Sequence, residues 1–172
     1  MTNGFAIGPG QPCISCGRDY GEHERGCALE KFPPPPKPHL FQAGDFTLRS
    51  GKKSRYKVEC DALTPADWEG IAAAVMEERV VPEPFGVTEG VPRGGVPLAD
   101  AMRRYATPGC PTVLFCEDVV TTGGSLLRWL KVLQDDPQCL WMTPQTPFLG
   151  VCLLARGPHP SWVHPLLRGP GA

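Results

Sequence analysis

Hydrophobic and polar positions change their spacing as the chain is followed from residue 41. Two short extended stretches, residues 46–48 and 56–60, flank a Ser-Gly-Lys-Lys turn and are typical of a strand pair. The next segment, TPADWEGIAAAVMEERV, has apolar residues at helical spacing behind Thr64, a good N-cap residue, and Pro65, which suits the first helical position. The pattern therefore predicts a strand pair followed by a helix.

Further along, short apolar runs alternate with helical patterns. Strands are predicted at residues 85–88 and in TVLFCED and PFLGVCLLARG, with helices starting near Pro97 and in SLLRWLKVLQDD. This alternation is typical of a parallel α/β sheet, in which ligands bind beyond the carboxyl ends of the strands. The loops VPRGGVP, EDVVTTGGS and the end of LLARG converge at that edge. The sequence therefore predicts an α/β domain with a site built from these loops.

Composition restricts the domain organisation. The chain has 172 residues, 41% of them hydrophobic, with a formal net charge of -1, which suits one ordinary domain with a small appendage. The run FPPPPKP is expected to be an extended, stiff spacer. We predict a module at residues 1–31, a linker at 32–40, the main domain at 41–157 and an irregular tail at 158–172.

The same composition argues against several classes of partner. No apolar run approaches the roughly 20 residues that span a bilayer, and no signal peptide is evident, so no membrane partner is expected. Cysteines scattered through apolar segments fit a reducing compartment, and we expect a cytoplasmic protein. Nucleic acid is an unfavoured partner because the first 31 residues carry three basic and four acidic side chains.

The segment CISCGRDYGEHERGC supplies ligands suited to tetrahedral zinc. The candidate ligands are Cys13, Cys16, His23 and Cys27. Because the segment has almost no apolar residues, metal binding would have to supply the free energy that orders it. All four positions are protein side chains, so the predicted Zn²⁺ is structural. The alternative is a disordered tail with incidental cysteines.

The stretch CEDVVTTGGS joins a strand end to a helix start. Its turn, residues 121–125, offers unpaired backbone N–H groups, hydroxyl donors and glycines that let a phosphate approach closely. Glu117 and Asp118 would repel that phosphate, so we expect them to bind the hydroxyls of an attached ribose. The alternative is an ordinary strand-to-helix turn with solvated acids.

These motifs resemble those of a known family. CEDVVTTGGS is similar to the phosphoribosyl pyrophosphate (PRPP) motif of type I phosphoribosyltransferases, and GVPRGGVPLA is similar to their pyrophosphate loop. FTLRSGKKSRYKVECDALT resembles the start of orotate phosphoribosyltransferases. The resemblance covers about residues 41–156. It implies a central, mostly parallel sheet flanked by helices, with a small hood over the site.

The resemblance also implies roles for individual residues. Glu117 and Asp118 would be the catalytic pair that holds the ribose 2′- and 3′-hydroxyls, although the family usually has Asp where this chain has Glu117. The 5′-phosphate would be bound by Thr121, Thr122, Gly123, Gly124 and Ser125. The pyrophosphate would be bound by Arg93, Gly94 and Gly95, and the base by Arg49, Tyr56, Lys57 and Arg156. Mg²⁺ would arrive with PRPP.

The implied reaction transfers phosphoribose to a nucleobase, orotate-like or another pyrimidine, and releases pyrophosphate; a homodimer is possible. Family members carry a flexible basic loop before the acid-bearing strand, but here that interval is only ATPGCP, residues 106–111. Cationic side chains of the hood can compensate, namely Lys52, Lys53, Arg55 and Lys57. Lys57 replaces an aromatic or apolar residue, which argues against orotate itself. The alternative function is a non-catalytic PRPP or nucleotide sensor whose zinc module docks a partner.

Overall fold

The computed structural model describes residues 38–47, 51 and 53–169, within a compact unit that begins at Pro38. Its strands are β1 (Phe41–Thr47), β2 (Lys53–Val58), β3 (Val87–Gly90), β4 (Val113–Val120), β5 (Phe148–Ala155) and β6 (Val163–Arg168). Its α-helices are α1 (Pro65–Glu77), α2 (Val96–Met102) and α3 (Gly124–Asp135). The predicted zinc ligands Cys13, Cys16, His23 and Cys27, and the predicted base-binding Arg49, lie outside the described residues.

The central sheet has the strand order β3-β4-β5-β6, and every neighbouring pair is parallel. Side chains alternate between its two faces. Leu114 and Cys116 of β4 pack with α1 and α2, whereas Val113 and Phe115 pack with α3. Apolar residues on both faces are what a sheet covered on both sides requires. The predicted α/β fold class is confirmed.

The helix predicted behind Thr64 begins where the sequence places it. The Thr64 hydroxyl accepts a hydrogen bond from the Asp67 N–H at 3.3 Å, and the Asp67 carboxylate accepts one from the Thr64 N–H at 2.8 Å. This reciprocal capping box satisfies donors that a helix start leaves open. Trp68 and Val75 of α1 are buried in the core, so the predicted apolar face is confirmed.

The hood is the antiparallel hairpin of β1 and β2, in which Phe41 pairs with Val58. Its register shifts between Ala43 and Phe46. The strand pair is confirmed, but β2 ends at Val58, because Cys60 begins a short 3-10 turn that leads into α1.

The predicted irregular tail is wrong where the structure describes it. Strand β6 pairs parallel with β5 and carries Pro165 in its middle. Proline has no N–H to donate, but an edge strand needs hydrogen bonds on one side only, so the residue is tolerated there. The proline-rich composition of this segment therefore concealed an edge strand.

The connection between α2 and β4 is short. After α2 a single 3-10 turn, Arg103–Tyr105, leads to β4 at Val113, and no strand lies between them. Within residues 38–47, 51 and 53–169, no helix is both long and apolar enough to cross a membrane.

Candidate active site

Three loops meet at the carboxyl ends of β3, β4 and β5. The Val91 N–H, just after β3, donates to the carbonyl of Cys116 in β4 at 2.9 Å. The Arg156 N–H, just after β5, donates to the carbonyl of Val120 at 2.7 Å. These bonds hold the predicted loops side by side, as the parallel sheet led us to expect.

The loop after β3 packs so tightly on β4 that two of its positions exclude a side chain. A Cβ atom on Gly95 would lie 1.9 Å from the Cys116 carbonyl oxygen, and one on Gly94 would lie 2.5 Å from the Asp118 carboxylate. Arg93 precedes them, is exposed and follows a cis peptide bond. The structure therefore brings the predicted pyrophosphate loop directly against one of the two predicted acids.

Glu117 is only 5% exposed, an unusual environment for a carboxyl group. Burial raises its pKa to about 7, and a hydrogen bond donated by the Ser125 hydroxyl at 2.7 Å partly opposes that shift. Ser125 had been expected to face a phosphate, but in this structure its hydrogen is given to Glu117. The acid at the strand end is thus tied to the helix that follows.

Asp118 lies on the opposite face of β4 from Glu117, against the pyrophosphate loop. Its carboxylate accepts a hydrogen bond from the Val119 N–H at 2.7 Å and is partly exposed. The thiol of Cys60 is its neighbour: burial and then the charge of Asp118 raise the pKa of that thiol. Sequence reasoning treated Cys60 as a simple buried hydrophobe, and nothing in its spacing indicated this contact.

The turn at residues 121–125 begins α3. Gly123, the N-cap residue, has a φ of 74°, a left-handed conformation that glycine adopts without strain. A Cβ there would lie 2.6 Å from Pro160 Cδ, and a Cβ on Gly157 would lie 2.8 Å from the Thr121 carbonyl oxygen. The segment between β5 and β6, residues 157–160, therefore packs against this turn, which the sequence had not predicted.

Arg128 is a second feature that the sequence reasoning missed. Its guanidinium lies one helical turn after Gly124, with Nη1 3.6 Å from an ideal Cβ at that glycine. A cation this close to a helix start is unfavourable unless an anion lies nearby. The sequence did contain a signal for this proximity, because Arg128 follows the predicted phosphate-binding residue Gly124 by four positions in a predicted helix.

The hood is joined to the end of β5 by Arg156. Its Nη2 donates to the Ser54 hydroxyl oxygen at 2.6 Å and to the Tyr56 carbonyl oxygen at 3.1 Å. Its guanidinium lies 4.1 Å from the centre of the Tyr56 ring. Lys57 makes an ion pair with Glu59. Of the predicted base-binding residues that the structure describes, Tyr56 and Arg156 are thus in contact, and Lys57 points to a different partner.

The described residues contain no cluster of three or more Asp, Glu, His or Cys side chains suited to hold a metal ion. Two adjacent acids, Glu117 and Asp118, are nevertheless available at the strand end. This donor set fits a magnesium ion that is bound mainly by a ligand's own phosphate and ribose oxygens.

Sequence comparison places the chain among known proteins, although no family model matches it. It is 32% identical over 121 residues to orotate phosphoribosyltransferase of Methanosarcina acetivorans, covering 56% of this chain and 65% of that protein. It is 30% identical over 125 residues to the enzyme of the same name from Thermosynechococcus vestitus, covering 55% and 66%. The chain thus spans just under two thirds of these curated relatives.

Solved structures agree at the level of the fold. Orotate phosphoribosyltransferase of Aeropyrum pernix matches with a TM-score of 0.55 and 18% identity, covering 75% of this chain and 88% of that one. The Mycobacterium tuberculosis enzyme matches with a TM-score of 0.53 and 20% identity, covering 75% and 89%. The chain is therefore related in sequence to the orotate phosphoribosyltransferases and has the type I phosphoribosyltransferase fold.

Proposed function

We propose that this protein binds PRPP and transfers its phosphoribose to a pyrimidine base, releasing pyrophosphate. One observation carries the proposal: Glu117 and Asp118 lie near the carboxyl end of β4, with the glycine loop of residues 93–95 packed against Asp118 and the turn of residues 121–125 directly after the strand. A ribose with a pyrophosphate on one side and a 5′-phosphate on the other matches that order of groups. The curated relatives named orotate phosphoribosyltransferase support the same ligand.

The two carboxylates would accept hydrogen bonds from the ribose 2′- and 3′-hydroxyls. Asp118 is partly exposed beside Gly94, whereas Glu117 is buried and bonded to Ser125. Glu117 accepts best when it is ionised, and its pKa of about 7 means that it is partly protonated at neutral pH. Ribose binding would therefore favour proton release from Glu117.

Phosphate groups would be bound through backbone N–H groups of the glycine loop and of the turn before α3. Arg93 is positioned to offer its planar fork to oxygens of the leaving pyrophosphate. The exposed Thr122, with Thr121 and the backbone N–H groups at the start of α3, would hold the 5′-phosphate. Magnesium, when bound with PRPP, supplies charge neutralisation at the pyrophosphate and is held mainly by the ligand.

The reaction would be a displacement at C1 of the ribose. A ring nitrogen of the base loses its proton to solvent and supplies the electron pair for the new bond, and the bond from C1 to the pyrophosphate oxygen breaks with its electrons leaving on pyrophosphate. Protein groups would orient the two reactants and stabilise the negative charge that develops on the leaving group. Arg156 is positioned to bind an acidic group on the base through its guanidinium.

A non-catalytic sensor is the second candidate, and one observation favours it. The described chain passes from the 3-10 turn at Arg103–Tyr105 to β4 at Val113, with no room for a long basic loop over the pyrophosphate. Loss of cations at a leaving group costs on the order of a hundredfold or more in rate. Binding of PRPP would survive that loss, whereas turnover would be slow.

The experiment that decides is pyrophosphate release from Mg²⁺-PRPP with single nucleobases, orotate and uracil included. Release that depends on one base, and that is lost in Glu117→Gln with Asp118→Asn, supports the transferase. Calorimetric PRPP binding without release supports the sensor. Unchanged PRPP affinity in the double variant would contradict the assignment of the site itself.

Two further proposals concern the whole protein. A homodimer is proposed on the resemblance alone, and sedimentation equilibrium would test it. A reducing compartment such as the cytoplasm is proposed because the five described cysteines are free thiols. Location by fluorescence microscopy of the tagged full chain would test the second proposal.

A further inference from the structure

The contact between the hood and Arg156 consists of four hydrogen bonds that involve Ser54, Tyr56 and one guanidinium nitrogen. The Ser54 hydroxyl donates its hydrogen to the Tyr56 carbonyl oxygen at 2.6 Å, so it acts only as an acceptor toward other groups. Its oxygen then accepts from Arg156 Nη2 at 2.6 Å and from the Tyr56 N–H at 3.3 Å. The Tyr56 carbonyl accepts from the same Nη2 at 3.1 Å. Both oxygens are thus acceptors for the same nitrogen.

This arrangement restricts what Arg156 can offer to a ligand. A guanidinium binds a carboxylate most strongly through two parallel N–H groups on one edge. Arginine has two such edges, one formed by Nε with Nη2 and one by Nη1 with Nη2. Both edges include Nη2, which Ser54 and Tyr56 occupy. While the hood contact is intact, a carboxylate must compete with the Ser54 and Tyr56 oxygens for Nη2.

We propose that Ser54 is a specificity-determining residue that competes with an acidic base for Arg156. The inference rests on the proposed function and adds a regulator of base choice to it. A base that carries a carboxylate must displace the Ser54 oxygen from Nη2 before it gains a bidentate contact. A neutral base has no use for that edge, so it binds without breaking the hood contact.

The cation that follows the hood contact in sequence does not take over this role. Lys57 follows Tyr56 in β2 and points to the opposite side of the strand, where it pairs with Glu59. The Tyr56 acceptor is a backbone carbonyl, which substitution does not remove. Ser54 is therefore the acceptor on Nη2 that a single side-chain change can delete.

The test compares two nucleotides that differ only in the carboxylate, orotidine 5′-monophosphate and uridine 5′-monophosphate. Calorimetry would measure both affinities for the wild-type chain and for Ser54→Ala. Removing a competing hydrogen bond to a charged group is expected to raise the preference for the acidic nucleotide about tenfold. A residue that only stabilised the hood would weaken both nucleotides together.

Thr143→Ala is the matched control, because it removes an exposed hydroxyl near the other end of the strands. It is expected to leave both affinities unchanged. Ser54→Cys, which keeps the side-chain size but has a weaker acceptor, should shift the preference in the same direction by less and covers the case in which Ser54→Ala does not fold. An unchanged or reduced preference in the Ser54 variants overturns the proposal.

Arg156→Ala separates this inference from the proposed function. It is expected to weaken binding of the acidic nucleotide more than binding of the uridine nucleotide. If both nucleotides bind the wild-type chain but Arg156→Ala does not change the preference, Arg156 does not read the carboxylate, and the inference about Ser54 is overturned while the site stands. If neither nucleotide binds the wild-type chain, the proposed function is overturned together with the inference.

Discussion

At the scale of single residues, Glu117 is the position where function opposes stability. A carboxyl group that is 5% exposed resists ionisation, yet the proposed hydrogen bonds to ribose hydroxyls would favour the ionised form. The Ser125 hydroxyl offsets part of the cost, but the pKa stays raised, at about 7. The folded protein therefore keeps this proton at pH values where the unfolded chain has released it.

This difference gives a pH-dependent stability with a defined sign. Below the pKa of roughly 4.3 that Glu117 has in the unfolded chain, both states are protonated and Glu117 does not lower the free energy of unfolding. As the pH rises from there to about 7, the free energy of unfolding falls, because only the folded state still holds the proton. The loss is of the order of 3 kcal/mol. Urea unfolding should show Glu117→Gln gaining stability over the wild-type chain between pH 4 and pH 8.

Asp135→Asn is the matched control for that measurement, because Asp135 is an exposed acid that pairs with Lys131 on α3. Its difference from the wild-type chain should change little over the same pH range. If the free energy of unfolding of Glu117→Gln changes with pH in parallel with that of the wild-type chain, Glu117 does not have a raised pKa in the folded protein.

Residue roles were predictable to the extent that they follow from a local pattern. The two acids, the turn of residues 121–125 and the glycine loop each lie in a short contiguous motif, and the structure brings these motifs together. Cys60 and Ser54 were not identified, because their contacts with Asp118 and Arg156 join distant parts of the chain. Such contacts depend on how the hood and the 3-10 turn after it pack against the ends of the strands, which no local spacing in the sequence predicts.

At the scale of elements, the turn before α3 is stabilised from outside. Gly123 is buried beneath Pro160, and the same segment approaches Thr121 through Gly157. The turn thus owes its shape both to its own glycines and to the connection between β5 and β6. Loosening that contact is expected to weaken binding of a 5′-phosphate even though the contacted residues include none of the acids.

Gly123→Ala tests this dependence. The left-handed φ costs alanine about 1–2 kcal/mol, and the added methyl group would collide with Pro160. We expect thermal unfolding to show lower stability, and calorimetry with ribose 5-phosphate to show weaker binding.

Gly70→Ala is the control, and its effect on stability is expected to be opposite to that of Gly123→Ala. Gly70 is an exposed helical residue with open space around it. Alanine there should stabilise the protein by roughly 0.5–1 kcal/mol and leave ligand binding unchanged. A Gly123→Ala variant that behaves like Gly70→Ala would show that the turn does not need its left-handed residue.

Helices and buried strands were predictable because each shows its own periodicity, and the Thr64 cap marks a start unambiguously. β6 was not, because an edge strand with Pro165 lacks both a continuous apolar run and a full set of N–H donors. Its place in the sheet is set by pairing with β5 rather than by its own composition.

At the scale of the whole molecule, the zinc module stays a prediction because its ligands lie outside the described residues. Metal analysis of the purified full chain is expected to find about one zinc ion per chain, since the four side chains match a tetrahedral site. Cys13→Ser should lose that zinc, and Cys110→Ser, a substitution in the described unit, should keep it. A metal-free wild-type chain of equal stability would contradict the zinc prediction.

The short link between α2 and β4 has a further consequence, for the handedness of the fold. The sheet advances in one direction from β3 to β4 to β5, yet α2 packs on one face and α3 on the other. The connection from β3 to β4 and the connection from β4 to β5 both step in the same direction across the sheet, but their helices lie on opposite faces. Two such crossover connections have opposite handedness. One of them must be left-handed, whereas about 98% of such connections are right-handed. The described sheet therefore includes one crossover of the rare hand.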